Sequence, residues 1–225
     1  MSEPAGRANH AHSAEGERAV EIRDLADAVR ELIERMVATS APLDVFAGVA
    51  DQLREAAARF EPYPQDHLYV GFSETAIATD GGGPFDNSPL LGRANPLAPP
   101  LRLAIEGERA VGTARFGSAY EGPPGCVHGG FVAAAFDELL GLTQQTGGQP
   151  GMTGRLTVHY RRPTPLYTEL RLEGTLDRVD GRKTICTGRI WAGDVLTAEA
   201  EGLFVAVDLA RMAELYEQRA RQTPG

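Results

Sequence analysis

Between Ile22 and Val37 the apolar residues Ile22, Leu25, Val29, Leu32, Ile33, Met36 and Val37 recur three and four positions apart, with charged residues between them. That is the period of an amphipathic helix. Thr39-Ser40-Ala41-Pro42 interrupts it, because proline lacks the N–H a helix needs and restrains the residue before it. Phe46, Val49, Leu53, Ala57 and Phe60 restore the period, so the spacing predicts a helical hairpin whose apolar stripes must find cover. From Leu101 the period falls to two. Leu101, Leu103 and Ile105 alternate, Glu106-Gly107-Glu108 turns, and Arg109 to Phe116 returns as a β-hairpin. An almost wholly apolar helix follows, ending near Thr146-Gly147-Gly148, where glycine commonly closes a helix. Strands are predicted around Leu156, Val158 and Tyr160, and around Leu170, Leu172 and Leu176. Asp180-Gly181 is a two-residue hairpin signal leading to a strand from about Lys183 to Trp191. Gly193-Asp194 turns into a last strand from Val195 to Val207, and Met212 and Leu215 suggest a short closing helix. One long helix between an early hairpin and several antiparallel strands is an α+β pattern.

The pattern divides the chain. Residues 1–64 comprise a polar start, expected to be disordered to about residue 14, and the helical hairpin. Residues 65–98 form a connector rich in proline and glycine, with Gly81-Gly82-Gly83-Pro84 and Asn95-Pro96-Leu97-Ala98-Pro99-Pro100. Residues 99–208 hold the mixed α+β domain, and 209–225 form a tail. A connector this long in a compact chain either borders a site or merely tethers the hairpin.

Composition narrows the function classes. A chain of 225 residues that is 42% hydrophobic and 24% charged is ordinary for a soluble globular protein. A formal charge of −9 argues against nucleic acid as a partner, since neutralising phosphates takes clustered positive charge. Lys183 is the only lysine among 22 basic residues, a bias that makes any one arginine weak evidence for a phosphate site. The start of the chain has no apolar core of a signal peptide, and no apolar run reaches membrane-spanning length, so a cytoplasmic location and no membrane partner are expected. Cys126 and Cys186 read as two buried free thiols, with a disulfide between them as the alternative, and no Cys/His cluster has metal-ligand spacing, so no metal is expected. Gly147-Gly148-Gln149-Pro150-Gly151 lacks the Lys-Ser/Thr ending of a triphosphate-binding loop.

The chemistry concentrates in Cys126-Val127-His128-Gly129-Gly130-Phe131-Val132-Ala133-Ala134-Ala135-Phe136-Asp137. A histidine and two glycines open the apolar helix, and a carboxylate follows nine residues after the histidine. A lone carboxylate on a buried helix is costly unless it is paired or used. The helix start offers unpaired N–H groups and a partial positive charge, and glycine there lets a substrate oxygen come close to the backbone. An oxyanion site and a carboxylate on one helix point to acyl-transfer chemistry.

These residues resemble the hotdog-fold acyl-CoA thioesterases, in the branch of the phenylacetate-pathway (PaaI-type) enzymes and the thioesterase-superfamily-member proteins. The likeness rests on the His-Gly-Gly-x6-Asp pattern from His128 to Asp137, Thr153, Val158-His159-Tyr160-Arg161-Arg162-Pro163-Thr164-Pro165-Leu166, and Asp177-Arg178-Val179-Asp180-Gly181-Arg182-Lys183. It spans roughly residues 99 to 207. The resemblance implies a hotdog fold, an antiparallel sheet wrapped around a central helix, here with an N-terminal helical hairpin added. It implies hydrolysis of an acyl-CoA to an acid and free CoA, with coenzyme A as part of the substrate and no separate cofactor. Asp137 would be general base or nucleophile, and His128 with the Gly129 N–H would polarise the carbonyl. Gly130 would allow close approach, and Thr153 would orient the hydrolytic water. Arg161, Arg162, Arg182 and Lys183 are candidates for the CoA phosphates, although a solvated strand edge explains them equally well. Some relatives carry an amide side chain six or seven residues before the glycine pair, where this chain reads Tyr120-Glu121-Gly122-Pro123. The family further implies a homodimer or a dimer of dimers. A hotdog hydratase is the enzymatic rival. A non-catalytic module binding acyl-CoA or a protein is the rival from another class.

Overall fold

The computed structural model describes residues 6–63, 86–148 and 151–207, with side chains in the first helix described from residue 16 onward. Helix α1 runs over Gly6–Ala38 and α2 over Leu43–Ala58, separated at Pro42 as the sequence predicts. The chain start, expected to be disordered to about residue 14, is included in α1 from Gly6. The short helix expected around Met212 and Leu215 lies outside the described residues, as do residue 64 and connector residues 65–85.

Strands β1 (Leu101–Glu106) and β2 (Arg109–Ala114) precede helix α3 (Gly129–Gln144). Strands β3 (Gly151–Tyr160), β4 (Leu170–Asp180), β5 (Lys183–Ala192) and β6 (Val195–Ala206) follow it. The tight turns fall at Gly181 and Gly193, whose φ angles of 56° and 57° suit glycine. The strands form one six-stranded sheet in the order β1-β2-β4-β5-β6-β3, and every neighbouring pair is antiparallel. Six strands laid flat would span about 24 Å from first to last, against a helix about 10 Å across. Because α3 nevertheless contacts all six, the sheet must curve around it.

What lets the helix sit so deep is a rung of small residues. Gly174 of β4 lies opposite Gly188 of β5, which lies opposite Ala200 of β6. A Cβ on Gly174 would come within 2.1 Å of the Thr143 hydroxyl oxygen, and one on Gly188 would meet Leu140, Leu139 and Phe136 at 3.0–3.2 Å. Phe136, Leu139 and Leu140 thereby reach the sheet and pack with Leu172, Ile190 and Phe204, all essentially removed from solvent. Phe136→Ala is expected to cost about 3–5 kcal/mol, because a close-packed site cannot collapse onto the lost ring. A shift in the urea midpoint at unchanged slope would measure it.

Docking of the hairpin differs from the apolar-stripe expectation. Leu25, Met36 and Val37 are about half exposed (49%, 50% and 50%), whereas Ala26 is buried. The docking face of α1 is marked instead by Arg23, Ala26, Arg30 and Glu34, spaced to share one side of a helix. Arg23 pairs with Asp86 at 2.7 Å. The Arg30 guanidinium donates to the carbonyls of Gly92, Arg93, Asn95 and Ala98 at 2.6–3.3 Å. Glu34 accepts from the backbone N–H groups of Ser118 and Ala119. Arg30 and Glu34 bind backbone that forms no ladder of its own, and buried backbone groups need such partners. Helix α2 buries no residue, and Val45, Phe46, Val49 and Leu53 face an open groove of about 730 Å³ shared with Leu32 and Met36 of α1.

Candidate functional site

Helix α3 begins where the apolar pattern meets His128-Gly129-Gly130. His128 is its N-cap, and its Nδ1 accepts the Gly130 N–H at 3.0 Å. An imidazole nitrogen that accepts leaves the other to carry the proton, so the hydrogen-bond network assigns the N–H of neutral His128 to Nε2. The backbone N–H of His128 bonds the Tyr120 carbonyl at 2.8 Å, and the Phe131 N–H returns to the His128 carbonyl at 2.9 Å. Gly129, at the first helical position, has an N–H with no acceptor among the described residues. Its carbonyl accepts the Tyr160 hydroxyl at 2.8 Å, and a Cβ on Gly129 would sit 3.3 Å from that oxygen. The helix start therefore presents two donors, Gly129 N–H and His128 Nε2–H, while Gly130 N–H is already occupied.

Asp137 lies two turns further on, half-buried, where Thr153 Oγ1 donates to its Oδ1 at 2.8 Å. Strict alternation along β3 would forbid this contact. Leu156, Val158 and Tyr160 face α3, so Arg155 and Thr157 face outward, and so should Thr153. The register shifts between Thr153 and Arg155, leaving Gly154 as an extra residue. A bulge reverses the facing of everything before it, which turns Thr153 inward opposite the buried Phe204.

The nine candidate residues fall into separated groups. Asp137 meets Thr153, and His128 meets Gly129 and Gly130, but about 13 Å of helix divides the two sets. Arg161 and Arg162 lie at the Tyr160 end of β3, and both backbone N–H groups bond the Thr197 carbonyl. Arg182 and Lys183 lie at the opposite end of the sheet, where Arg182 donates to the Ala206 carbonyl. Nine steps along β3 amount to roughly 30 Å, so these four cations do not form one cluster within a chain. The Arg161 guanidinium is already engaged with Glu199 and holds that carboxyl below its usual range. Arg162 and Lys183 are exposed and carry no ion pair among the described residues.

Two further residues, not among the nine candidates, hold the helix start. Tyr160 fixes Gly129 and Tyr120 fixes His128; for Tyr160 the available signal was a hydroxyl ending an inward apolar stripe, where it needs a partner. The segment Tyr120-Glu121-Gly122-Pro123, which has no amide side chain, is a closed loop. Glu121 bridges Val127, and the Glu121 carboxylate accepts the Gly125 N–H at 2.6 Å. Both cysteines are free, but only Cys186 is fully buried, which corrects the expectation for half-buried Cys126. Burial pushes the Cys186 thiol up to about 12. Among the described residues no cluster of His, Cys, Asp and Glu could hold a metal ion, and no helix is long and apolar enough to cross a membrane.

A central helix embraced by one antiparallel sheet, with a glycine-opened start and a mid-helix carboxylate, is the hotdog fold of thioesterases. Comparison with known proteins assigns the family. The thioesterase superfamily model matches residues 124–199. The crystal structure of a thioesterase superfamily protein aligns at 33% identity with a TM-score of 0.73, covering 82% of this chain and 94% of that one. This chain belongs to the thioesterase superfamily. Acyl-coenzyme A thioesterase THEM4 of Bos taurus is 35% identical over 103 residues, 45% of this chain and 42% of the relative. Its Xenopus laevis counterpart is 37% identical over 93 residues, 40% of this chain and 41% of the relative. The chain thus spans about two fifths of the length of these curated relatives.

Proposed function

We propose that this protein is an acyl-CoA thioesterase whose site forms between two copies of the chain. The observation that carries the reading is the Thr153–Asp137 hydrogen bond of 2.8 Å on the carboxylate-bearing face of α3. With its proton committed to Asp137, the Thr153 hydroxyl keeps lone pairs for a water, and the carboxylate keeps an oxygen to take that water's proton. The hydroxide attacks the thioester carbon. Gly129 N–H and His128 Nε2–H meet the oxyanion, and such donors are typically worth about 3 kcal/mol each. Collapse breaks the C–S bond, and the CoA thiolate takes the proton back from Asp137. Direct attack by Asp137, through an acyl anhydride that water then hydrolyses, uses the same groups.

The edge position of β3 supports assembly. Its outer side is an unpaired ten-residue rim, and proteins cover such edges. Antiparallel pairing of two β3 edges about a twofold axis would lay the Tyr160 end of one against the Gly151 end of the other. Because Tyr160 bonds Gly129 and Thr153 bonds Asp137, the helix start of one copy then faces the partner's Asp137. The same pairing brings Arg161 and Arg162 toward the end that carries the partner's Arg182 and the partner's Lys183, in reach of one CoA. A dimer of dimers would repeat this unit.

A second reading draws on the uncovered face of α2, where Phe46 and Leu53 are 39% and 43% exposed. In it the hotdog unit binds an acyl-CoA or a protein without turnover. A panel of acyl-CoAs assayed with a thiol reagent separates the two. The expected result is saturable thiol release with at least one acyl class. Tight binding across the panel with no thiol above the spontaneous rate would establish the binding module instead.

A further inference from the structure

We propose that Glu34, on the N-terminal helix, is a positioning residue for the hydrolytic site, acting on His128 through the turn at Ser118–Tyr120. The inference rests on the thioesterase reading and assigns the added helix a part in it.

The carboxylate is fully used. One oxygen accepts the Ser118 N–H at 2.8 Å and the Tyr167 hydroxyl at 2.9 Å, and the other accepts the Ala119 N–H at 3.0 Å. Those two N–H groups open a single 3₁₀ turn, Ser118–Tyr120, which also holds itself through the Tyr120 N–H on the Gly117 carbonyl at 3.1 Å and the Ser118 hydroxyl bond to Tyr167. The space is shaped to this one carboxylate, since a Cβ on Gly117 would lie 2.6 Å from both of its oxygens. Tyr167 reaches it from a left-handed backbone, φ 55°, which costs energy for a non-glycine residue and needs outside support. That support comes from the Tyr167 N–H on the Phe116 carbonyl at 2.8 Å and Arg115 Nε on the Tyr167 carbonyl at 3.0 Å. Burial pushes the Glu34 carboxyl up, but the Ala119 and Ser118 N–H groups and the two hydroxyls pull harder, leaving it below its ordinary range.

The turn is coupled directly to the start of α3. The Tyr120 carbonyl holds the His128 N–H at 2.8 Å, and its ring stands edge-on to Phe131 at 4.8 Å and to Phe116 at 5.3 Å. Between Tyr120 and His128 the chain is closed by the Glu121–Val127 bridge and the Gly122 N–H bond to Cys126 at 2.9 Å. A Cβ on Gly122 would sit 2.7 Å from the His128 Cα. No slack separates the turn from His128. A shift of the turn by a fraction of an ångström must pass to the His128 ring and the Gly129 N–H. Arg23 and Arg30 anchor the same helix but grip residues 86–98, not this turn.

Glu34→Gln tests this against simple docking, with Arg23→Gln as the control that loosens α1 elsewhere. The amide can accept one N–H but turns its NH₂ against the other. For Glu34→Gln, kcat is expected to fall roughly tenfold to a hundredfold, the scale of a small misplacement. KM should change less than about twofold, as when an interaction made only in the transition state is lost. Arg23→Gln should lower the melting temperature at least as much and leave kcat alone. Glu34→Asp, charged but too short to span both N–H groups, should fall between Glu34→Gln and the unmodified protein. Hydrogen exchange over residues 118–131 reads the coupling without turnover, and should quicken in Glu34→Gln but not in Arg23→Gln. Equal kcat in the two glutamine variants, or unchanged exchange over 118–131 in Glu34→Gln, overturns the proposal. Quickened exchange in a protein that hydrolyses no thioester would retain the coupling and reject the thioesterase reading.

Discussion

Asp137→Asn is expected to lower thiol release from a good acyl-CoA substrate by about 10²- to 10⁴-fold, the range for loss of a positioned general base. Asparagine keeps the shape and the carbonyl oxygen that accepts the Thr153 hydroxyl at 2.8 Å, so the fold should stay intact. What goes is the oxygen able to take a proton from water, or to attack the thioester itself. Binding should survive, since the substitution removes a charge without enlarging the side chain. Thiol release measured with saturating acyl-CoA, beside a melting curve, separates chemistry from stability. A variant retaining more than about a tenth of the activity would remove Asp137 from the chemical step, because that is less than one free-energy increment of 1.4 kcal/mol.

The second large effect is recovery of activity by mixing inactive subunits. His128 and Asp137 stand about 13 Å apart along one helix, too far for both to touch one thioester carbon. Drawn from two chains across a twofold axis, they can. His128→Ala and Asp137→Asn homodimers should each be nearly inactive. In a mixed dimer one site inherits both lesions and the other inherits neither. Random exchange of equal amounts makes half the dimers mixed, each with one sound site, so the mixture should regain about a quarter of the original activity. Exchange is followed by mass-tagging one variant. Fully exchanged mixtures that stay inactive would place both residues in one chain's site or outside it.

Much of the framework was legible in the residues. Period-two alternation at Leu101, Leu103 and Ile105, the turns at Gly107, Asp180-Gly181 and Gly193, and the apolar run expected to close near Thr146-Gly147-Gly148 each specify local backbone, and the elements lie there. Helix α3 ends at Gln144, and a 3₁₀ turn follows at Gln145–Gly147. The glycine pair and the carboxylate were readable as one helix carrying two polar features. The helical hairpin was legible as two helices that must dock, but the residues that anchor it were not. Its apolar residues drew the eye, while Arg23, Arg30 and Glu34 do the anchoring. Apolar periodicity reports a helix face that avoids water, and says nothing of backbone groups elsewhere that need a partner.

Alternation, turn chemistry and the order of residues on α3 belong to the sequence by itself, because each depends on φ/ψ preferences and burial within a few residues. Facts that depend on distant chain segments meeting were left to the tertiary structure. The sheet order puts β3 at the edge beside β6, although it follows α3 directly in the chain. Gly174, Gly188 and Ala200 line up as a rung only once three strands pair in register. Arg161 and Arg182 part to opposite ends of the sheet for the same reason. Thr153 shows the difference at a single residue. Its place in the chain assigns it to the outer face, and the bulge at Gly154 turns it toward Asp137. A bulge is set by how two strands fit together, a relation that no window along one strand contains.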